Sequence, residues 1–160
     1  SCRRCVEACP GDALNGHGGL DPERCVRAWQ FSGRIMPEAL RAANGTRLIG
    51  CDICQRVCPM QPKFEAGKTL GLKLCDLVTE DPTLFSAAIQ KLSDEIGKNA
   101  ARPQRVRAQA ALLAGNSGDA EYLPVLESWA NLPFEAVAEH ARWAKKRLSK
   151  AGLDRTNKTD

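Results

Sequence analysis

Seven of the eight cysteines in this chain fall into two groups with matching internal spacing. The first run is Cys2-Arg3-Arg4-Cys5-Val6-Glu7-Ala8-Cys9-Pro10. The second is Cys51-Asp52-Ile53-Cys54-Gln55-Arg56-Val57-Cys58-Pro59, with Cys25 upstream of it. Each contains C-x2-C-x3-C-P, the last three ligands of the four-cysteine run that binds iron–sulfur clusters. Thiolates three residues apart in an irregular loop can face inward together and hold neighbouring corners of one cluster. The last cysteine of each run points away from its own loop and, in two-cluster proteins, ligates the other cluster. The proline after it fixes φ and turns the chain away from the inorganic core.

On this logic Cys9, Cys25, Cys51 and Cys54 hold one cluster (cluster II). Cys2, Cys5 and Cys58 hold the other (cluster I), with a fourth ligand expected upstream of Ser1. The chain opens without Met and shows no signal-peptide pattern, so it reads as the C-terminal part of a longer protein. Two other chemistries compete. Zinc takes paired C-x2-C ligands but has no use for the third cysteine and proline of each run. Disulfides require an oxidising compartment, to which nothing in the sequence points.

Beyond the cysteines the chemistry is sparse. Cys75 lies apart from both runs and reads as a small buried hydrophobe, with replacement of the missing cluster I ligand as its second possible role. His17 sits in a glycine loop and reads as solvated. His140 reads as a packing or surface residue, and Trp29, Trp129 and Trp143 as packing residues. No Ser/His/Asp set, phosphate-binding glycine loop or carboxylate pair stands out.

The elements around the cysteines follow from local signals. Residues 11–22 are rich in Gly, Asp and Asn and read as turn and loop. Pro37 opens a short helix that Asn44-Gly45 ends. From residue 81 the pattern becomes helical. Asp81-Pro82 is an N-cap and first-turn proline, Leu84, Phe85, Ala88, Ile89, Leu92 and Ile96 recur at helical spacing, and Gly97 closes the helix. Pro103 opens a second helix, Asp119 caps a third, and Pro133 opens a fourth that ends at Gly152. With aromatic residues at only 5%, the cores must rest on Leu, Ala, Val and Ile.

The expected fold is α+β and mostly helical: a two-cluster iron–sulfur domain over 1–62, a linker over 63–80, helical repeats over 81–152 and a flexible tail over 153–160. No apolar run is long enough to cross a membrane. A cytoplasmic monomer is expected, because so many free thiols or cluster ligands suit a reducing compartment.

Net charge is +4, distributed unevenly. Residues 76–96 are acidic. Residues 97–110 carry Lys98, Arg102, Arg105 and Arg107 with no acid, and basic residues dominate again from Arg142 onward. Such clusters either follow phosphates or form a solvated helix face.

Taken together, the residues resemble a known family. Arg24-Cys25, Pro37-Glu38-Ala39-Leu40-Arg41 and the stretch from Arg47 to Pro59, above all Gly50-Cys51-Asp52-Ile53-Cys54-Gln55-Arg56-Val57-Cys58-Pro59, are similar to the iron–sulfur domain of epoxyqueuosine reductases. Leu112–Asp119 and Glu139–Ala144 are similar to that family's C-terminal HEAT-like repeats. The resemblance implies a ferredoxin-like domain with two 4Fe–4S clusters followed by a short HEAT-like domain, together forming a fragment of an oxidoreductase. It implies reduction of epoxyqueuosine to queuosine in the tRNA anticodon loop by a cobalamin held in a domain upstream of Ser1. No catalytic residue is then expected here. Lys98, Arg102, Arg105 and Arg107 become candidate contacts to the tRNA backbone. The competing readings are an electron-transfer module of another redox enzyme and a zinc-bound interaction module.

Overall fold

The structure is a computed structural model that describes residues 2–62 and 70–156, with side chains up to residue 150. It is mostly helical. The cysteine half holds four short helices: α1 (Arg4–Glu7), α2 (Val26–Trp29), α3 (Glu38–Ala43) and α4 (Ile53–Arg56). Next come α5 (Leu74–Leu77), α6 (Pro82–Ile96), α7 (Pro103–Ser117), a 3₁₀ turn over Ala120–Tyr122, α8 (Leu123–Trp129) and α9 (Glu135–Thr156).

The expected β component reduces to a single bridge between Leu14 and Leu20 among the described residues. The reason is local. The loop between them contains Gly16 and Gly18 at positive φ and has no apolar alternation to support longer pairing.

Local capping chemistry sets the long helices. The Asp81 carboxylate accepts the N–H groups of Thr83 (2.7 Å) and Leu84 (3.2 Å), and α6 stops where Gly97 takes φ 82°. Pro103 opens α7, and Gly118, in the left-handed region, ends it. The last helix departs from expectation. Gly152 lies inside α9, which continues to Thr156, because one glycine costs a helix only about 1 kcal/mol.

Of the stretch read as a linker, residues 63–69 lie outside the described residues. The remainder is packed, with α5 placing Leu77 in the core and Val78 buried beside it. Residues 157–160 of the expected tail also lie outside the described residues.

The centre of the molecule is α7, which is buried over nearly its whole circumference. One side joins Phe85, Leu92, Leu126, Trp129 and Val137 in the larger core. On another side, Leu112 reaches into a smaller core with Val26, Met36 and Leu40, against which Cys51 packs. Gly115 permits the close approach of α9, since a Cβ there would stand 2.7 Å from Trp143 Cζ3 and 2.8 Å from the Ala144 Cα.

A buried polar seam fixes the cysteine half to this helix. Asn44, fully buried, accepts at Oδ1 from Gln30 Nε2 (2.9 Å) and Gln109 Nε2 (3.1 Å). Asn116 Nδ2 donates to the carbonyls of Arg41 (2.8 Å) and Gly45 (3.0 Å). Arg41 donates to the Met36 carbonyl at 2.8 Å and pairs with Glu139 of α9 at 3.1 Å. These buried hydrogen bonds favour one docking geometry, because any other would break them in a dry interior, although Gln30 Oε1 and Asn116 Oδ1 are buried without a partner.

Candidate metal centre

The two cysteine runs repeat one backbone conformation. The residue before each short helix has nearly the same dihedrals, φ −124°, ψ 11° at Arg3 and φ −116°, ψ 13° at Asp52. The residue after it repeats as well, φ −86°, ψ −8° at Ala8 and φ −86°, ψ −7° at Val57. The hydrogen bonds match in register. Cys9 N–H donates to the Val6 carbonyl (3.2 Å) and Cys58 N–H to the Gln55 carbonyl (3.1 Å). Past each proline, Asp12 N–H donates to Cys9 and Gln61 N–H to Cys58, both at 3.2 Å. The two copies face each other, with α1 packed on α4. Cys5 lies on α1, Cys58 follows α4 by two residues, and Cys2, which precedes α1, is exposed.

The loop after Cys9 is held by contacts that bridge the sequence. Gly11, two residues past Cys9, lies so close to Arg24 that a Cβ would stand 2.1 Å from the Arg24 carbonyl oxygen. The Arg24 Nε donates back to the Gly11 carbonyl at 3.1 Å. This ties the Cys9 loop to Cys25, which occupies the N-cap of α2. The next residue, Val26, belongs to the small core on which Cys51 packs. Burial and then the charge of Cys51 push the Cys54 thiol above its ordinary value. Backbone N–H groups of Gln55 and Cys54 oppose the shift, and the charge of Cys9 adds to it. Cys51 and Cys9 thus lie close enough to Cys54 to act on it electrostatically, and the Cys9 loop contacts the residue before Cys25.

All eight cysteines are free thiols, and among the described residues no three His, Cys, Asp or Glu side chains converge on a position for a single metal ion. The donors suit a larger thiolate-held group. They are soft sulfur donors, partly buried except for the exposed Cys2, and one receives a hydrogen bond, from Ala13 N–H to Cys9 Sγ at 3.2 Å. Such N–H···S contacts are among the features that set a cluster's potential.

The remaining candidates are distributed differently from expectation. Cys75 is exposed rather than buried. It stands on α5 beside Asp76 and close enough to Tyr122 to influence it electrostatically, because the four-residue helix turns Leu77 inward and leaves Cys75 outward. His17 is exposed. Lys98 and Arg102 are exposed near the start of α7. Arg105 is partly buried there, with Nη1 donating to the Asn99 carbonyl at 3.3 Å. Arg107 leaves this group. Its guanidinium lies over the Phe85 ring at 4.2 Å and its Nε is buried, so this half-buried side chain packs against the core.

Three residues carry more than their sequence context signals. His140 is buried in the seam, and Arg34 and Phe134 line a cavity with Arg105. None has a local motif, since each acquires its surroundings from distant segments.

Comparison with known proteins agrees with this architecture. Residues 1–61 match the family described as "4Fe-4S double cluster binding domain". The cysteine half is therefore similar to a 4Fe–4S double-cluster domain, and a helical region follows it. Relatives that match over nearly the whole chain include proteins named epoxyqueuosine reductase. The Lactococcus garvieae protein of that name is 30% identical over 92% of this chain and 44% of its own length. The Xanthomonas campestris one is 29% identical over 96% of this chain and 44% of its own length. A crystal structure of a selenomethionine-labelled epoxyqueuosine reductase superposes with a TM-score of 0.72 at 23% identity, covering 96% of this chain and 45% of that one. Another, solved with an epoxyqueuosine-modified tRNA-Tyr stem loop, gives a TM-score of 0.68 at 23% identity, covering 100% of this chain and 46% of that one. The chain is a homologue of the epoxyqueuosine reductases and spans less than half the length of those relatives.

Proposed function

We propose that this chain is the electron-delivering and tRNA-docking portion of an epoxyqueuosine reductase. Residues 1–62 form its ferredoxin-like domain and 81–152 its HEAT-like repeats. Cys9, Cys25, Cys51 and Cys54 hold one 4Fe–4S cluster. Cys2, Cys5 and Cys58 hold a second, completed by a residue outside this chain. The observation that supports the reading is the close contact of Gly11, two residues past Cys9, with Arg24, the residue before Cys25. A bound 4Fe–4S cluster supplies one-electron transfer at a potential set by burial and by hydrogen bonds to sulfur. The part of this chain is to fix the thiolates, to donate the Ala13 N–H to Cys9, and to shield Cys51 behind Val26, Met36, Leu40 and Leu112.

The cobalamin implied by the family is assigned outside this chain, and no residue here is given a role in binding it. Lys98, Arg102 and Arg105 are the proposed contacts to RNA phosphates. They are supported by their exposure or partial exposure at the start of α7 and by the stem loop bound to a structural relative. The test is anaerobic reconstitution with iron and sulfide. A brown protein carrying both, with one stable cluster and one labile one, supports the reading. Stoichiometric zinc without sulfide contradicts it.

A further inference from the structure

A cavity of about 440 Å³ lies between the two halves of the molecule, within the size range of small-ligand sites. Its walls come from the loop after α2 and the first turns of α7 and α9. Three side chains give it character: Arg34, Arg105 and Phe134. Both arginines are held in place. Arg34 lies over the Trp29 ring at 4.1 Å with Glu23 at 3.9 Å, and Arg105 is tied to the Asn99 carbonyl. Gly33, whose φ of 79° favours glycine, lies beside the Arg105 side chain. Phe134 is 41% exposed, an unusual position for one of only four phenylalanines in the chain.

We propose that this cavity seats one unpaired nucleotide of a docked RNA, with its phosphate on Arg34 and Arg105 and its base against the Phe134 ring. The proposal rests on the RNA-docking reading above and adds to it a specific subsite. Two fixed guanidiniums suit a phosphate, and an accessible aromatic face is the usual partner of an unstacked base. Two acids stand near these arginines, Glu23 beside Arg34 and Glu135 on the cavity wall. Glu135 supplies an acceptor for a ribose hydroxyl or a base N–H. Because the cavity spans both halves, a nucleotide in it would touch the cysteine half and the helical half together.

The experiment uses the iron–sulfur-loaded protein and a tRNA anticodon stem loop in which 2-aminopurine replaces one loop nucleotide at a time, titrated by anisotropy and by 2-aminopurine emission. One loop position should be quenched at least about twofold on binding, as stacking on an aromatic ring requires. Phe134→Ala should abolish that quench and weaken binding about tenfold without altering the salt dependence, because stacking releases no counterions. Phe134→Trp should retain both quench and affinity. Arg34→Gln combined with Arg105→Gln should weaken binding and reduce the salt slope by about one. If the stem loop binds but no position is quenched and Phe134→Ala binds like the parent, the cavity assignment falls while RNA docking stands. If the parent protein binds no stem loop, both fall. Binding of free adenosine monophosphate to the cavity with no quenched loop position would make it a small-molecule site and overturn the proposal.

Discussion

The imidazole of His140 bridges two backbone groups from distant parts of the chain. Its Nε2 accepts the Met36 N–H at 2.9 Å, and its Nδ1 lies 2.9 Å from the Ala108 carbonyl. Only the neutral ring protonated at Nδ1 satisfies both contacts, because protonation at Nε2 would set one N–H against another. The ring therefore joins the cysteine half to α7 and α9 in a single protonation state.

This gives a pH dependence of stability. Burial lowers the His140 pKa from 6.5 to about 4. The Ala108 contact opposes the shift, the Arg41 charge adds to it and Glu139 offsets it slightly. The folded-state value lies below the unfolded one, so the contribution is complete above pH 6.5 and is lost as pH falls through about 4. Its full size is roughly 3 kcal/mol. Urea midpoints of the parent and of His140→Gln, measured across this window, should converge as pH falls. Parallel curves would contradict the neutral, buried assignment.

Gly11 gives a test that links packing to the metal centre. A Cβ 2.1 Å from the Arg24 carbonyl cannot be accommodated without moving backbone. Gly11→Ala should separate the Cys9 loop from Cys25 and lower iron and sulfide content after reconstitution, while far-ultraviolet circular dichroism stays near that of the parent. Full cluster content in the variant would show that the close approach is not what holds Cys9 in place.

Gly115 tests the helical half alone. Gly115→Val would drive a branched side chain into Trp143 and the backbone at Ala144. The expected cost is about 1–3 kcal/mol, read as a lower urea midpoint. An unchanged midpoint would mean that α9 shifts freely along α7.

The charged surface makes a separate prediction. If Lys98 and Arg102 neutralise RNA phosphates, replacing both with Gln should weaken binding to every tRNA alike and reduce the salt slope by about one for each lost contact. Arg107→Gln should leave the slope unchanged and lower stability, because its guanidinium packs on Phe85. A slope change from Arg107 alone would reverse this division.

What could be read in the sequence was what short segments determine. Asp81-Pro82, Gly97 and Pro103 mark helix ends by their own backbone chemistry, and the two C-x3-C-P runs carry their conformation within nine residues each. What could not be read depends on partners far along the chain. Asn44 looks like a helix terminator and is also the buried acceptor shared by Gln30 and Gln109. Arg107 looks like part of a basic patch, yet the helix phase turns it toward Phe85. Leu77 and Val78 fall in a stretch without clear periodicity and enter the core because α6 and α7 offer them an apolar face.

The central claim is that Cys9 belongs to the cluster of Cys25, Cys51 and Cys54 rather than to that of its own run. The direct measurement is the electron paramagnetic resonance spectrum of the reconstituted, dithionite-reduced protein, compared among Cys9→Ala, Cys51→Ala and Cys58→Ala. Cys9→Ala and Cys51→Ala should both abolish the signal of the stable 4Fe–4S cluster, and Cys58→Ala should preserve it. Survival of that signal in Cys9→Ala, with its loss in Cys58→Ala, would contradict the crossover.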